Sequence, residues 1–298
     1  MSILSAVTTG KTIGAQIHTV AGNNGVGKTT FAASFPKPLI LDLENGSEHL
    51  DVARITSDKL KTLVNFRAVL KEIAESKHDY KTIAIDSAEA LESLICDQVC
   101  QEGKVDSIEK YEGGYGKGYS RSREIMREIM IELQMLKQKG ISTVIVAHTQ
   151  TKNITDPATN QTYDRVVMRC NDKMAAVIRD LSDNVFYATF KVLTSKDNGK
   201  TKAWGDGQRV LYTQWRPGYD AKNRLELPLE IPLSYDAFKE ACENPQNINE
   251  TLILEIKEMS ANMKDDLKKQ VKEMIEKFKT DSAKLQEVKN RLMKYVAA

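Results

Sequence analysis

The residues Gly22-Asn23-Asn24-Gly25-Val26-Gly27-Lys28-Thr29 carry the spacing G-x-x-x-x-G-K-[ST]. An apolar run, Gln16 to Ala21, precedes them, and the run Thr30 to Ser34 that follows reads as helix. Strand, glycine turn and helix thus occur in the order a phosphate-cradling loop requires. The glycines let backbone N–H groups turn inward on an anion, and the helix N-terminus adds the positive end of its dipole. Gly22 to Thr29, with Thr30, are therefore the candidate nucleotide-binding residues. Lys28 would reach the β- and γ-phosphates and Thr29 would hold Mg²⁺, so ATP and Mg²⁺ are the implied cofactors.

Such a loop belongs on a parallel sheet, and the remaining apolar runs agree. Pro38 to Leu43, Thr82 to Ile85, Ile141 to Ala147 and Asn184 to Phe190 are short, mostly continuous runs of Ile, Val, Leu and Ala, as strands buried on both faces require. Helical stretches alternate with them. The clearest lies between Ser120 and Lys139, where Ile125, Ile129, Leu133 and Leu136 recur at three- and four-residue steps until Gly140 stops the run. Around Lys200 the chain turns to strand-like sequence rich in turns, ending at Leu225 to Leu233, and predicts antiparallel edge strands closing the core.

With 41% hydrophobic and 28% charged residues in 298, the composition is that of a globular protein and disfavours a disordered, collagen-like or disulfide-built chain. No apolar run approaches the roughly 20 residues a spanning helix needs, and the first residues lack a secretory pattern, so a cytoplasmic protein without a membrane span is expected. Cys96, Cys100, Cys170 and Cys242 are too scattered for a disulfide framework or a zinc site and read as reduced, structural thiols.

An acidic residue ending a second hydrophobic strand completes the metal site. Thr82-Ile83-Ala84-Ile85-Asp86-Ser87 supplies Asp86, placed to orient Mg²⁺ through water. Glu44, after Leu39-Ile40-Leu41-Asp42-Leu43, is the candidate base that positions the attacking water. His148, after the strand Ile141 to Ala147, is the candidate sensor of the γ-phosphate, with Gln150 as the alternative.

In this order the residues resemble the RecA-type ATPase core, which has an "I-D-A-E" strand end, a "V-D-S" strand end and a polar sensor after the strand that follows a long helix. The resemblance covers roughly residues 14 to 235. It implies an α/β fold with a RecA-like P-loop core, a mostly parallel central sheet, antiparallel edge strands and a C-terminal helical appendage. Ala221-Lys222-Asn223-Arg224-Leu225-Glu226-Leu227-Pro228 is similar to RecA's "V-K-N-K-I-A-A-P", whose basic residues reach the neighbouring subunit's γ-phosphate. By that resemblance Lys222 and Arg224 act in trans, and the protein is a homo-oligomer with ATP at subunit interfaces. RecA's N-terminal polymerisation helix has no counterpart in the roughly 13 residues before the first strand, which argues against conventional RecA filament assembly and leaves rings or shorter assemblies open.

Two loops touch single-stranded DNA in that family. The first corresponds to Tyr111 to Tyr119, which is rich in glycine and contains Tyr115, Lys117 and Tyr119, with Arg121 and Arg123 close behind. Aromatic and basic groups on a flexible backbone suit sequence-tolerant stacking and phosphate pairing. The second is Thr151 to Asp172, expected to be a mobile loop carrying Lys152, Arg165 and Arg169. "Y-G-K-G-Y", "V-I-V-A-H" and "A-K-N-R" look most like the small phage-encoded RecA-core proteins of single-strand annealing and recombination. That resemblance implies a DNA-stimulated ATPase that pairs complementary strands, with a single-strand DNA-binding protein as a further partner. The alternative is a RecA-fold regulatory or loader ATPase acting on a replication or recombination partner.

Net charge is only +2, yet residues 151 to 225 hold 13 Lys and Arg against 8 Asp and no Glu, a local basic excess. The core is read as residues 1–245. From 246 to 298 the chain reads as a separate helical segment, helical from about Glu250 to Tyr295, with Thr280-Asp281-Ser282 as a break and N-cap between two helices.

Overall fold

A computed structural model describes Val7 and residues 14–197, 200–205, 207–243, 248–260, 263–279 and 281–297. It is an α/β protein built on a mostly parallel sheet. At the centre β1 (Ile17–Gly22) pairs in parallel with β5 (Ser142–Thr155) on one side and β7 (Asn184–Phe190) on the other. Beyond β5 lie β4 (Thr82–Asp86), β2 (Pro38–Asp42) and β3 (Ala53–Thr56), all parallel. Beyond β7, β10 (Arg209–Tyr212) and β11 (Glu230–Pro232) run antiparallel as the expected edge. A separate two-stranded ribbon, β8 (Leu193–Asp197) and β9 (Lys200–Trp204), precedes that edge. β3 escapes the sequence pattern because Ala-Arg-Ile-Thr is short, mixed in polarity and only partly buried.

Both faces of the parallel strands are covered, which is why those strands read as continuous apolar runs. Ile83 and Ile85 face one cluster, built with α2 (Leu63–Glu75), α3 (Ala88–Gly103), α4 (Lys117–Gln138) and α5 (Asp172–Leu181). Ala84 faces the other, with Val20, Phe31 of α1 (Lys28–Ala33), Phe186, Leu211 and Phe238 of α6 (Tyr235–Glu243). α4 presents Ile125, Ile129, Leu133 and Leu136 to the first cluster, all at most 2% exposed, so its three- and four-residue spacing is a core-facing stripe. Burying each such side chain contributes about 1.5–3 kcal/mol.

Two expectations are corrected by the chain's long-range pairing. The strand begun at Ser142 does not stop before His148 but runs to Thr155, because β6 (Thr162–Met168) folds back antiparallel on it from Thr149↔Met168 to Thr155↔Thr162. Thr151 to Asp172 is therefore a β-hairpin leading into α5 rather than a mobile loop. Asp156 closes its turn by accepting the N–H groups of Ala158 and Thr159, both at 2.8 Å. The C-terminal segment holds three helices rather than two: α7 (Ile248–Ser260), α8 (Asp265–Phe278) and α9 (Ser282–Ala297). Asp281 caps α9, accepting the Lys284 N–H at 3.0 Å. Leu252, Ile256, Val271, Ile275, Leu285, Val288 and Leu292 bury against one another as a small core of these helices.

Candidate active site

The parallel register brings the C-terminal ends of β1, β2 and β4 level with His148 in the middle of β5, at one edge of the sheet. Gly22 lies level with His148 and with Ala188, and Asp42 with Asp86. Gly22 is glycine for a steric reason: a Cβ there would fall 2.3 Å from the Ala188 carbonyl oxygen of β7. Gly27 caps α1 at φ 102°, a conformation side chains rarely adopt, and sends the following N–H groups over the loop.

Lys28 is 5% exposed, and its ammonium donates to the carbonyl oxygens of Gly22 and Asn23, both at 2.9 Å, inside the cup the loop forms. Burial pushes its pKa below the ordinary lysine value; Asp86, Glu89 and Glu44 oppose that shift, and the Arg169 guanidinium adds to it. Thr29 donates to the Asp86 carboxylate at 2.5 Å. Burial raises the Asp86 carboxyl above its usual range, Thr29 opposes this, and Glu44 and Asp42 add to it. A hydroxyl and a buried carboxylate crowded by other acids form a hard oxygen donor set that fits Mg²⁺, which Thr29 and Asp86 would hold.

Glu44 follows β2 on a turn that Asp42 builds. The fully buried Asp42 carboxylate accepts the N–H of Gly46 at 3.0 Å, and the N–H and hydroxyl of Ser47 at 2.9 and 2.5 Å. The turn aims Glu44 toward Ser87 and His148. Ser87 donates its hydroxyl to one Glu44 oxygen, and His148 Nε2 stands 3.5 Å from the other. On its other side, His148 Nδ1 lies 3.4 Å from the Lys28 ammonium. Facing an ammonium, Nδ1 acts as acceptor, so the ring proton sits on Nε2 and points at Glu44. Glu89 holds the strand at this point, accepting the His148 backbone N–H at 2.9 Å.

Glu44, Glu89 and His148 offer donor atoms within 4.8 Å of one another, a spacing that suits a second metal. The tautomer argues against it. A metal on Nε2 would put the proton on Nδ1, against the Lys28 ammonium. The cluster is better read as a hydrogen-bond relay between Lys28 and Glu44.

Other contacts at the site had no sequence signal. Thr149 donates to the Asn23 side chain at 2.8 Å and ties β5 to the phosphate loop. The Arg169 N–H donates to the His148 carbonyl at 3.0 Å, and Gln150 donates to the Arg169 carbonyl at 3.4 Å. His148 rather than Gln150 therefore faces Lys28. Arg209, at the start of β10, brings its guanidinium within 3.0 Å of where a Cβ on Gly27 would stand. Thr30 is exposed at the first turn of α1, beside these groups.

Lys222 and Arg224 are not at this edge. Lys222 donates to the carbonyls of Ser182 (2.6 Å), Asp180 (2.9 Å) and Arg179 (3.2 Å), at the C-terminus of α5. Arg224 pairs with Asp183 at 3.2 Å, and Asp183 also accepts the N–H of Ile17 at the start of β1. Both bases thus stand at the opposite end of the strands from the phosphate loop.

The two candidate DNA segments lie side by side. Lys173, on α5, donates to Ser120 at 2.9 Å and to the Gly116 carbonyl at 3.5 Å, joining the glycine-rich loop to the base of the hairpin. Tyr115 is 102% exposed, and Lys117 and Arg123 are exposed. Lys117 donates to the Glu112 carbonyl at 3.1 Å, and of the remaining candidates all but Arg169 have side-chain partners. Tyr119 donates to Glu109 at 2.7 Å, and Arg121 pairs with Glu102 and Glu124. Lys152 pairs with Asp172, and Arg165 pairs with Asp220 while stacking over Trp215 at 5.1 Å.

Residues 15–225 match a protein-family model described as AAA domain. An SPbeta prophage-derived uncharacterized protein, YorG, of Bacillus subtilis (strain 168) is 23% identical over 176 residues. That match covers 58% of this chain and 50% of the relative, so the chain spans about half the relative's length.

Proposed function

Because the chain belongs to the AAA-domain family of P-loop ATPases, we propose that it is a phage-type recombination ATPase that binds single-stranded DNA and promotes annealing of complementary strands. The observation that carries the hydrolytic part is the convergence of Lys28, Thr29, Asp86, Glu44 and His148 on one strand edge. Lys28 and the loop N–H groups hold the β- and γ-phosphates. Mg²⁺, bound by Thr29 and steadied by Asp86, would neutralise phosphate charge. Glu44 orients water for attack on the γ-phosphorus and accepts its proton, while the His148 Nε2–H holds the carboxylate in place and answers to the phosphate through Lys28.

The DNA reading draws support from exposed Tyr115, Lys117 and Arg123 beside the hairpin base, on the edge that carries the phosphate loop. Oligomerisation with ATP between subunits belongs to the same reading. A trans role for Lys222 draws less support, since its three donors are spent on α5. A second reading, a loader or regulatory ATPase, is favoured by one feature: α7 to α9 bury their own core and so suit a partner-binding module.

ATPase rate with and without single-stranded DNA, measured alongside annealing of complementary oligonucleotides, tests the proposal. Stimulated turnover and faster annealing are expected. A chain that hydrolyses ATP but neither binds nor anneals single strands supports the loader reading instead.

A further inference from the structure

The base of the β5–β6 hairpin carries a cation that the reaction as described above leaves unused. Arg169 follows β6 directly, and its N–H donates to the carbonyl of His148, the residue that faces Lys28. One step along the ladder Thr149, the partner of Met168, donates to Asn23 of the phosphate loop. The Arg169 backbone is therefore pinned at the phosphate loop by two strands. Its side chain is exposed, and among the described residues no hydrogen bond or ion pair engages the guanidinium. Other hairpin and α5 bases differ: Lys152, Arg165 and Arg179 each have an aspartate. Arg169 also lies close enough to Lys28 to help depress its pKa. Two cations held near each other, with the second unneutralised, form a site for a multiply charged anion.

We propose that Arg169 is a catalytic residue acting in cis, its guanidinium binding the terminal phosphoryl group of the nucleotide held by the same subunit's phosphate loop. The assignment rests on the ATPase reading above. In the step it serves, water oxygen bonds to the γ-phosphorus and loses its proton to Glu44. The bond from that phosphorus to the β–γ bridging oxygen breaks, and its electron pair stays on ADP. Arg169 pairs with the oxygens on which charge accumulates, as a planar fork does better than a point charge. Because the same backbone is bonded to His148 and to the hairpin, displacement of the hairpin by a bound strand would move this guanidinium, which gives DNA a route to the rate.

The test compares full-length wild type, Arg169→Ala and Arg169→Lys in steady-state ATP hydrolysis, with binding of ADP measured alone and with aluminium fluoride, which mimics the transferring phosphoryl group. Arg169→Ala should lower kcat by roughly 10³-fold. It should leave ADP affinity within about threefold, which also shows that the variant folds, and should abolish the tightening of ADP by aluminium fluoride. Arg169→Lys should recover only part of the rate, and free guanidinium should partly rescue Arg169→Ala. Mixing Arg169→Ala with Lys28→Ala subunits, which keep Arg169, should restore nothing. Wild-type-like turnover in Arg169→Ala, or its recovery in that mixture, overturns the cis assignment while leaving the ATPase reading intact. A wild type that binds ATP without turning it over sinks the ATPase reading, and the Arg169 role with it.

Discussion

Replacing Lys222 by methionine separates a structural base from a catalytic one. Its ammonium donates to three carbonyl oxygens at the C-terminus of α5, at 2.6, 2.9 and 3.2 Å. Each such bond contributes about 0.5–1.5 kcal/mol, and a cation at a helix C-terminus adds about 0.3–1 kcal/mol. Methionine keeps the apolar stem and removes every donor, while water reaches the half-buried site and recovers part of the loss. A net cost of about 2 kcal/mol follows. In a core of this size each kcal/mol moves the thermal midpoint by roughly 2–4 °C, so Lys222→Met should melt roughly 4–8 °C lower. Calorimetry reads the midpoint, and ATP hydrolysis per folded chain, measured well below it, should stay within about threefold of wild type. An unchanged midpoint with turnover reduced by roughly a hundredfold or more would refute the capping argument and restore Lys222 as a finger on a neighbouring subunit's nucleotide.

Glu44→Gln keeps the hydrogen bond from Ser87 but cannot take the water's proton, so kcat should fall by roughly 10²–10⁴-fold with ATP binding retained, as hydrolysis and nucleotide-binding assays would read. Chelating Mg²⁺ should abolish hydrolysis in wild type, and Thr29→Ala should raise the Mg²⁺ concentration needed for half-maximal rate. His18 gives a pH effect on stability. Burial against Phe35, Phe186 and Phe238 holds its pKa at about 4, below the 6.5 of the free side chain. The unfolded chain therefore takes up the proton first as pH falls, and stability present above pH 6.5 is lost between there and about 4. Between pH 7 and pH 5 this costs about 2 kcal/mol, and urea midpoints for wild type and His18→Gln should show the variant losing that much less.

How much of the site could be read from sequence depends on how local each part is. The phosphate loop is contiguous, its glycines answer to backbone geometry, and its flanking strand and helix are set by periodicities of a few residues, so Gly22 to Thr29 was legible entire. Asp86 and Glu44 were legible because each ends or follows an apolar run that could only be a buried strand. The hairpin was not legible, since its polar, alternating residues look like a loop until β6 pairs with β5. The basic excess of residues 151 to 225 also meant less than its count, because folding sets Asp220 against Arg165 and Arg179, Asp183 against Arg224 and Asp172 against Lys152.

The sequence by itself determined an α/β chain with a phosphate-loop motif, an acid at a buried strand end and a helical C-terminal segment. These follow from short-range spacing and from which residues avoid water. Only the tertiary structure decided which bases remain free to meet phosphate. The partner of Arg165 is 55 residues away and that of Arg224 is 41, and nothing in local spacing brings them together. Long-range folding does so, and it also leaves the Arg169 guanidinium, among the described residues, without a hydrogen bond or ion pair while spending Lys222 on the end of a helix.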